Sequence, residues 1–223
     1  GQVYRAGIDV SEIVVPDEYI GTDESGKGDL FGPLVIAAVL LDRSNKSALD
    51  SLNILESKRI TDRRALSLAE DIKATAPNSI VLISPLKYNE LYARIRNLNK
   101  LLAWGHARAV ENVLDQDDCA TVVSDQFGDA SLIQNSLMKK GQAVNLLQTH
   151  RGERHLAVAA ASVLARAAFL SYLDKLSRQF GLKLPKGAAP IVDQAVLQFV
   201  QAHGREALGH VAKLHFKNLK KLH

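Results

Sequence analysis

Asp23 and Glu24 are adjacent carboxylates between an apolar lead-in, Tyr19-Ile20, and a glycine-rich turn, Gly26-Lys27-Gly28. Crowding two acids is costly unless a cation or a proton relieves them. Set beside backbone amides and a lysine, the pair points to a metal-dependent reaction on a phosphate group. Two further acids have comparable settings. Asp125 directly follows the apolar run Ala120 to Ser124 and leads into the turn Gln126-Phe127-Gly128. Glu153 ends His150-Arg151-Gly152-Glu153, just before an alanine-rich segment. Each has an ordinary reading as well: Asp is frequent in turns, and Glu at a helix N-terminus complements the helix dipole. Four carboxylates meeting at strand ends would make a hard, all-oxygen site, suited to Mg2+ or Mn2+ rather than zinc. Two such ions about 4 Å apart are a standard device for phosphodiester hydrolysis.

The same stretch contains a false lead. Gly21 to Lys27 reads G-x-x-x-x-G-K, the opening of a phosphate-binding loop. Gly28 then stands where a Ser or Thr is needed to hold magnesium. The segment that follows should open a helix, yet Asp29, Gly32 and Pro33 break one, and Pro33 to Leu41 has strand character. A nucleotidase is therefore the weaker reading, and nucleotide turnover without a polynucleotide would be its sign.

The elements that must position these acids are legible in outline. Strands are expected at Glu18–Asp23, Pro33–Leu41, Ser79–Ser84, Ala120–Ser124 and Gln142–Gln148, from their apolar, β-branched runs. Helices are expected at Thr61–Thr75 with Thr61 as cap, Pro85–Ile95, Asn99–Leu114, Asp129 to about Lys140, and His155–Phe180, from apolar residues at helical spacing. Two more are expected at Asp193–His203 and Gly204–Leu214. The order predicts an α/β fold, a central mixed sheet covered by helices, with Asp23 and Asp125 at the C-terminal ends of strands, where such sheets gather their sites. The small residues Ala157, Ala159, Ala160, Ala161 and Ala165 would let the long helix lie close to the sheet and bring Glu153 to the strand tips.

The chain has 223 residues, 47% hydrophobic and 23% charged, which fits a globular domain of the α/β class with a proper core. No apolar stretch is expected to reach the ~18 residues of a membrane span. Cys119 is the single cysteine, which excludes an internal disulfide and a multi-cysteine zinc site and fits a reducing cytoplasm. It precedes a buried strand and is read as inert. Net charge is +4 but uneven. Lys213, Lys217, Lys220 and Lys221 form a basic tail, and Lys58, Arg59, Arg63 and Arg64 a second cluster around Asp62. Basic clusters attract nucleic-acid phosphates, or simply keep a surface solvated. Most of the seven histidines are expected at the surface or at helix ends, with His150 or His155 the candidates for proton transfer. Trp104 is expected in the core. Residues 1–17 read as a leader or linker, and residues 18–223 as one catalytic domain with a helical C-terminal part.

Several ordered motifs resemble one family. They are GTDESGKGDLFGP (from Gly21), NLNKLLAWGHARA (from Asn97), SDQFGD (from Ser124), GERHLAVAAASVLARAAF (from Gly152), LPKGA (from Leu184) and VAKLHFK (from Val211). Together, from Tyr19 to the C-terminus, they resemble the type 2 ribonucleases H, most closely bacterial ribonuclease HIII. The resemblance implies an RNase H-like fold with a five-stranded mixed sheet, and Mg2+- or Mn2+-dependent cleavage of the RNA strand of RNA/DNA hybrids by a monomeric enzyme. It assigns Asp23, Glu24, Asp125 and Glu153 to the acidic quartet that catalyses and holds metal. It assigns Gly26, Lys27 and Gly28 to a turn whose backbone meets the substrate's 2′-hydroxyls, and adds Ser57, Lys58, Asn97 and Asn99 as substrate-binding positions. In ribonuclease HII the fourth acid is usually Asp, and a Lys-Gly-Tyr supplies a tyrosine that recognises an RNA–DNA junction. Here these positions are Glu153 and Lys186-Gly187-Ala188. Ribonuclease HIII usually also has an N-terminal substrate-binding domain, expected here to be absent or to have been removed, since only residues 1–17 precede the catalytic part. The competing functions are junction cleavage in the manner of ribonuclease HII and a hybrid-binding module with little catalysis.

Overall fold

Leu34–Leu41 (β2) is apolar at all its positions and buried along its whole length, because both faces of the sheet at this point are covered. In the computed structural model, residues 14–55, 61–125, 130–136, 144–149, 152–217 and 219 are described. β2 pairs antiparallel with Tyr19–Ser25 (β1) on one side and with Asn78–Ile83 (β3) on the other. β1 pairs parallel with Thr121–Asp125 (β4), which pairs parallel with Asn145–Thr149 (β5). The order is β3-β2-β1-β4-β5, the expected mixed five-stranded sheet. β1 runs two residues past the expected end, so Glu24 belongs to the strand, two places short of the turn.

Helices follow their caps. After the short helix Lys46–Ser51 (α1), which the sequence reading missed, comes Asp62–Thr75 (α2), whose Thr61 side chain accepts the Arg64 N–H. Pro85–Ile95 (α3) starts with Pro at its first position, and Leu98–Leu114 (α4) is capped by Asn97. Ala130–Ser136 (α5), Leu156–Gln179 (α6) and Pro190–His203 (α7) complete the set.

α6 lies across β1 and β2 on one face, with α2 packed beside it; α4 lies on the other face. Contrary to expectation, α6 is long and apolar enough to span a bilayer, with a mean hydropathy of 1.8. Here 67% of its most apolar window is buried in the fold. Fully burying each Leu, Val or Phe contributes about 1.5–3 kcal/mol, so these residues hold the α6 face together.

The false phosphate loop has a packing explanation. Gly21 sits inside β1, and a Cβ there would lie 2.2 Å from the backbone of Ala157 and Val158. The glycine and the α6 alanines together let helix and strand backbones touch. Gly21→Ala is expected to cost more than the ~1–3 kcal/mol of ordinary overpacking, because a backbone atom cannot rotate away. A urea midpoint within error of wild type would contradict that.

The expected helix at Gly204–Leu214 does not form. A 3-10 turn at Glu206–His210 is followed by a single antiparallel bridge, Ala212 to Phe31, onto the segment after the glycine-rich turn. Gly32 N–H donates to Val211 O, and Lys213 N–H donates to Leu30 O, both at 2.9 Å. Apart from Ala212 N–H, which donates to Leu208 O at 2.8 Å, tertiary backbone pairing stands in for the helical i to i−4 ladder after His210.

Candidate active site

The parallel pairing of β1 and β4 places Thr22 opposite Ser124, so the acids that follow, Asp23 and Asp125, leave adjacent strands at the same end of the sheet. Glu153 lies in a 3-10 turn, Gly152–Arg154, that leads into α6, just ahead of the long helix as expected. Gly152 N–H donates to Asp125 Oδ1 at 3.0 Å, which ties this turn to the tip of β4. Three chain segments thus carry the acidic quartet to one edge. His150 and Arg151 lie outside the described residues.

Alternation along β1 sends its two acids to opposite faces. Asp23 faces α6, where Ser162 hydrogen-bonds it, and its Oδ1 accepts the Glu24 N–H at 2.8 Å. Burial, reinforced by the charge of Glu24, pushes the Asp23 carboxyl up to about 6. Glu24 faces α4. Burial alone would raise it, but His106 and then Lys27 outweigh that and hold it below the usual carboxylate range. Glu24 Oε1 lies 3.3 Å from Lys27 Nζ, and Oε2 lies 3.2 Å from His106 Nε2.

His106 is the residue that sequence reasoning missed. It is 1% exposed, an exception to the expectation that most of the histidines sit at the surface or at helix ends. The signal was present: it lies on the apolar side of α4, in register with Leu102, Ala103, Ala109 and Val110. Trp104 departs in the opposite sense. Expected in the core, it is 42% exposed, because two residues along a helix is about 200° of rotation. Cys119 does behave as expected: its Sγ donates to Thr121 O, and burial pushes the thiol up, away from the reactive thiolate.

The turn between β1 and β2 has two kinds of glycine. Gly26 has φ +88°, and a Cβ there would meet Pro33 O at 2.2 Å, so the fold requires it. Around Gly28 there is nothing within 4 Å of where a Cβ would stand; neither packing nor dihedral angle asks for glycine.

Just beyond that turn, Asp29 and Leu30 are clamped to the Leu184–Ala188 loop. Gly187 N–H donates to Asp29 Oδ1 at 2.6 Å, and Leu30 N–H donates to Gly187 O at 2.9 Å. Lys186 is drawn to Asp62 at the start of α2 (2.6 Å), which Arg166 of α6 also binds (2.8 Å). Ala188, exposed, is thereby fixed beside the glycine-rich turn.

Lys213 corrects the reading of a basic tail. It is 0% exposed, and its Nζ donates to Asp29 O and Gly32 O, each at 2.8 Å. Burial depresses this amine to about 7. It fastens the turn from below and is out of reach of any phosphate. Lys217 is exposed; Lys220 and Lys221 lie outside the described residues. Of the expected substrate-binding positions, Asn97 and Asn99 are exposed at the start of α4, with the Asn97 side chain accepting the Lys100 N–H at 3.1 Å. Ser57 and Lys58 lie outside the described residues.

The donors suit a hard divalent ion by chemistry: they are carboxylate oxygens, and one of these groups, Asp23, is raised in pKa by burial and then by its neighbour's charge. Among the described residues, no three His, Cys, Asp or Glu side chains close on a single point. Three of the four carboxylates are turned to local partners instead, Glu24 to His106 and Lys27, Asp125 to Gly152 and Asp23 to Ser162, while Glu153 is exposed.

A five-stranded mixed sheet with acids at the tips of its two central parallel strands is the architecture of the ribonuclease H class, and residues 20–219 match the family model for ribonuclease HII. The chain belongs to that family. It is 45% identical over 201 residues to ribonuclease HIII of Protochlamydia amoebophila, covering 90% of this chain and 67% of that protein. Among solved structures it superposes on Bst-RNase HIII in complex with Mn2+ with a TM-score of 0.84 and 34% identity, over 92% of this chain and 68% of that one. Ribonuclease H2 of Pyrococcus horikoshii shares the fold, with a TM-score of 0.77 and 21% identity, over 92% of this chain and 96% of that one.

Proposed function

We propose that this protein is an endoribonuclease that hydrolyses the RNA strand of RNA/DNA hybrids. The observation that carries the reading is the placement of Asp23, Glu24 and Asp125 at one end of adjacent parallel strands, beside a glycine-rich turn, in a chain of the ribonuclease HII family. Asp23, Glu24, Asp125 and Glu153 would hold the divalent ions, Mg2+ or Mn2+. When bound, these supply an activated water and neutralise charge on the phosphate and the leaving 3′ oxygen. Asp23, largely buried, would contribute a ligand that is costly to leave ionised without a cation.

Gly28 leaves open space above the turn, so a sugar edge can approach the backbone at the exposed Gly28 and its neighbour Lys27. A 2′-hydroxyl is the group by which a protein tells RNA from DNA. Lys27 adds a cation at the same spot. The exposed Lys217 and the Arg63–Arg64 pair offer phosphate contacts away from the chemistry. The enzyme is read as cytoplasmic, from its single cysteine, and as a monomer, from its family resemblance.

Cleavage is expected to require Mg2+ or Mn2+ and to leave 5′-phosphate and 3′-hydroxyl ends, because water is the nucleophile. An end-labelled hybrid incubated with the metal, and separately with excess EDTA, tests both points. Full-rate cleavage in EDTA, or 2′,3′-cyclic phosphate products, would refute the mechanism. Binding of the hybrid with no cleavage under saturating Mg2+ would favour a hybrid-binding module.

A further inference from the structure

Beneath the acids, on the α4 face of the sheet, runs a buried polar row. Thr22, Ser124 and Gln148 are register partners across β1, β4 and β5. Ser124 Oγ and Gln148 Nε2 find no partner among the described residues, while Thr22 is fully engaged. Its Oγ1 donates to Ala37 O at 2.8 Å and lies 2.9 Å from His106 Nδ1. A threonine hydroxyl has one proton. With that proton committed to Ala37, Nδ1 must donate to Oγ1, and the ring is fixed in place. Nε2 then faces Glu24 Oε2 across 3.2 Å, within hydrogen-bonding reach. The chain of contacts runs from the backbone of β2, through Thr22 and His106, to a carboxylate of the proposed metal site.

We propose that His106 is a positioning residue, which, locked by Thr22, holds the Glu24 carboxylate at the tip of β1 in the orientation a divalent-ion ligand needs. The inference deepens the ribonuclease reading, since it rests on Glu24 being such a ligand. A partner that orients a metal ligand typically changes metal affinity by about 10–100-fold when removed. His106 touches neither substrate nor reacting atoms and acts through Glu24. It sits on α4, 82 residues away in sequence, so the metal site is tied to the helix that packs on the opposite face from α6.

Two polar replacements separate the two ring nitrogens. In His106→Gln the side-chain amide can reach the Nε2 position and donate to Glu24. In His106→Asn it reaches only the Nδ1 position and meets Thr22. The intact chain is titrated with Mn2+ alone, following free Mn2+ by electron paramagnetic resonance, with circular dichroism confirming that each variant is folded. His106→Asn is expected to weaken Mn2+ binding at least ~10-fold and His106→Gln no more than ~3-fold, within the range for such partners. In a Glu24→Gln background, His106→Asn is expected to add nothing, because its route to the metal is gone. Equal affinity of the Asn and Gln variants, or additive losses in the double variant, would overturn the proposal. Wild type that binds Mn2+ with this pattern of variants yet never cuts a hybrid would uphold the proposal and sink the ribonuclease reading. Wild type that does not bind Mn2+ would overturn both.

Discussion

Asp23→Asn is expected to stabilise the metal-free protein by about 3 kcal/mol at about pH 8 and, in the same molecule, to reduce hybrid cleavage at least ~1000-fold under saturating Mg2+. The two effects share one cause. The Asp23 carboxyl stands near 6 in the folded protein against an ordinary 3.8, chiefly through burial and then through the charge of Glu24. A carboxyl raised on folding favours the folded state while protonated. Its contribution is fully present below about pH 4 and is lost as pH climbs through about 6. The gap between 3.8 and about 6 converts to about 3 kcal/mol, at roughly 1.4 kcal/mol per tenfold in proton affinity. Asparagine has no charge to bury, so it escapes that loss and also offers a poorer metal ligand. Urea midpoints in EDTA from about pH 4 to 8 give the difference curve. It should be near zero at the acid end and grow through about 6; a flat curve would show that Asp23 is not held at that cost. Added Mg2+ should remove most of the difference at the alkaline end by stabilising wild type alone. Asp125→Asn is the control. It should be comparably inactive, but its oxygen still accepts the Gly152 N–H, so no stabilisation is expected.

Substrate choice should show the second large effect. A hybrid with at least about four consecutive ribonucleotides is expected to be cut efficiently, a length set by several 2′-hydroxyl contacts along one turn. A single ribonucleotide embedded in duplex DNA is expected to show a kcat/KM lower by about 100-fold, the equivalent of roughly 3 kcal/mol of lost contacts. The argument joins two loops. The glycine-rich turn is open to a sugar edge at Gly28, and the clamp of Gly187 onto Asp29 and Leu30 fixes Ala188 beside it. An aromatic ring at Ala188 would offer a stacking platform for one sugar at a junction; a methyl group offers none. One 2′-hydroxyl must then supply all the discrimination. Matched duplexes differing only in ribonucleotide count, assayed in Mg2+ and then in Mn2+, measure the ratio. Equal kcat/KM in Mg2+ would mean that the chain acts as a junction-cutting enzyme in spite of Ala188. Ala188→Tyr should raise cleavage of the single-ribonucleotide duplex more than that of the hybrid.

The parts of the site legible beforehand were those with a local signature. Asp23 and Asp125 each end an apolar run, and such runs are strands whatever they pair with. Thr61 and Pro85 mark helix starts by the donors they satisfy or lack; Pro190 also opens a helix, three residues before the expected start at Asp193. The alanines of α6 announced a close approach, and Gly21 turned out to be the surface approached. The errors arose where a distant segment outcompeted a local preference. Residues 204–214 have helical spacing, yet the free backbone edge of Leu30–Gly32 takes their N–H and C=O groups instead. Lys213 looks like one of a row of solvated lysines, yet two carbonyls at its Nζ make burial tolerable. Trp104 lies on a largely apolar helix, but that helix buries one side only.

Composition and periodicity alone determined that this chain would build a mixed α/β sheet, that acids would stand at strand ends, and that a hard-cation chemistry on phosphate was in prospect. Those properties depend on each residue's own type and on neighbours within a few positions. What only the tertiary structure decided is how the acids are held. The pairing of β1 with β4 brings Asp23 and Asp125 side by side across about a hundred residues. α4 delivers His106 to Glu24, and the C-terminal chain delivers Lys213 beneath the turn. The raised carboxyl of Asp23 and the lowered one of Glu24 likewise exist only after folding, because desolvation and charge proximity are properties of the packed site. Burial can be inferred from a pattern along one segment; the identity of the group met on the far side of it is set by the geometry of the whole fold.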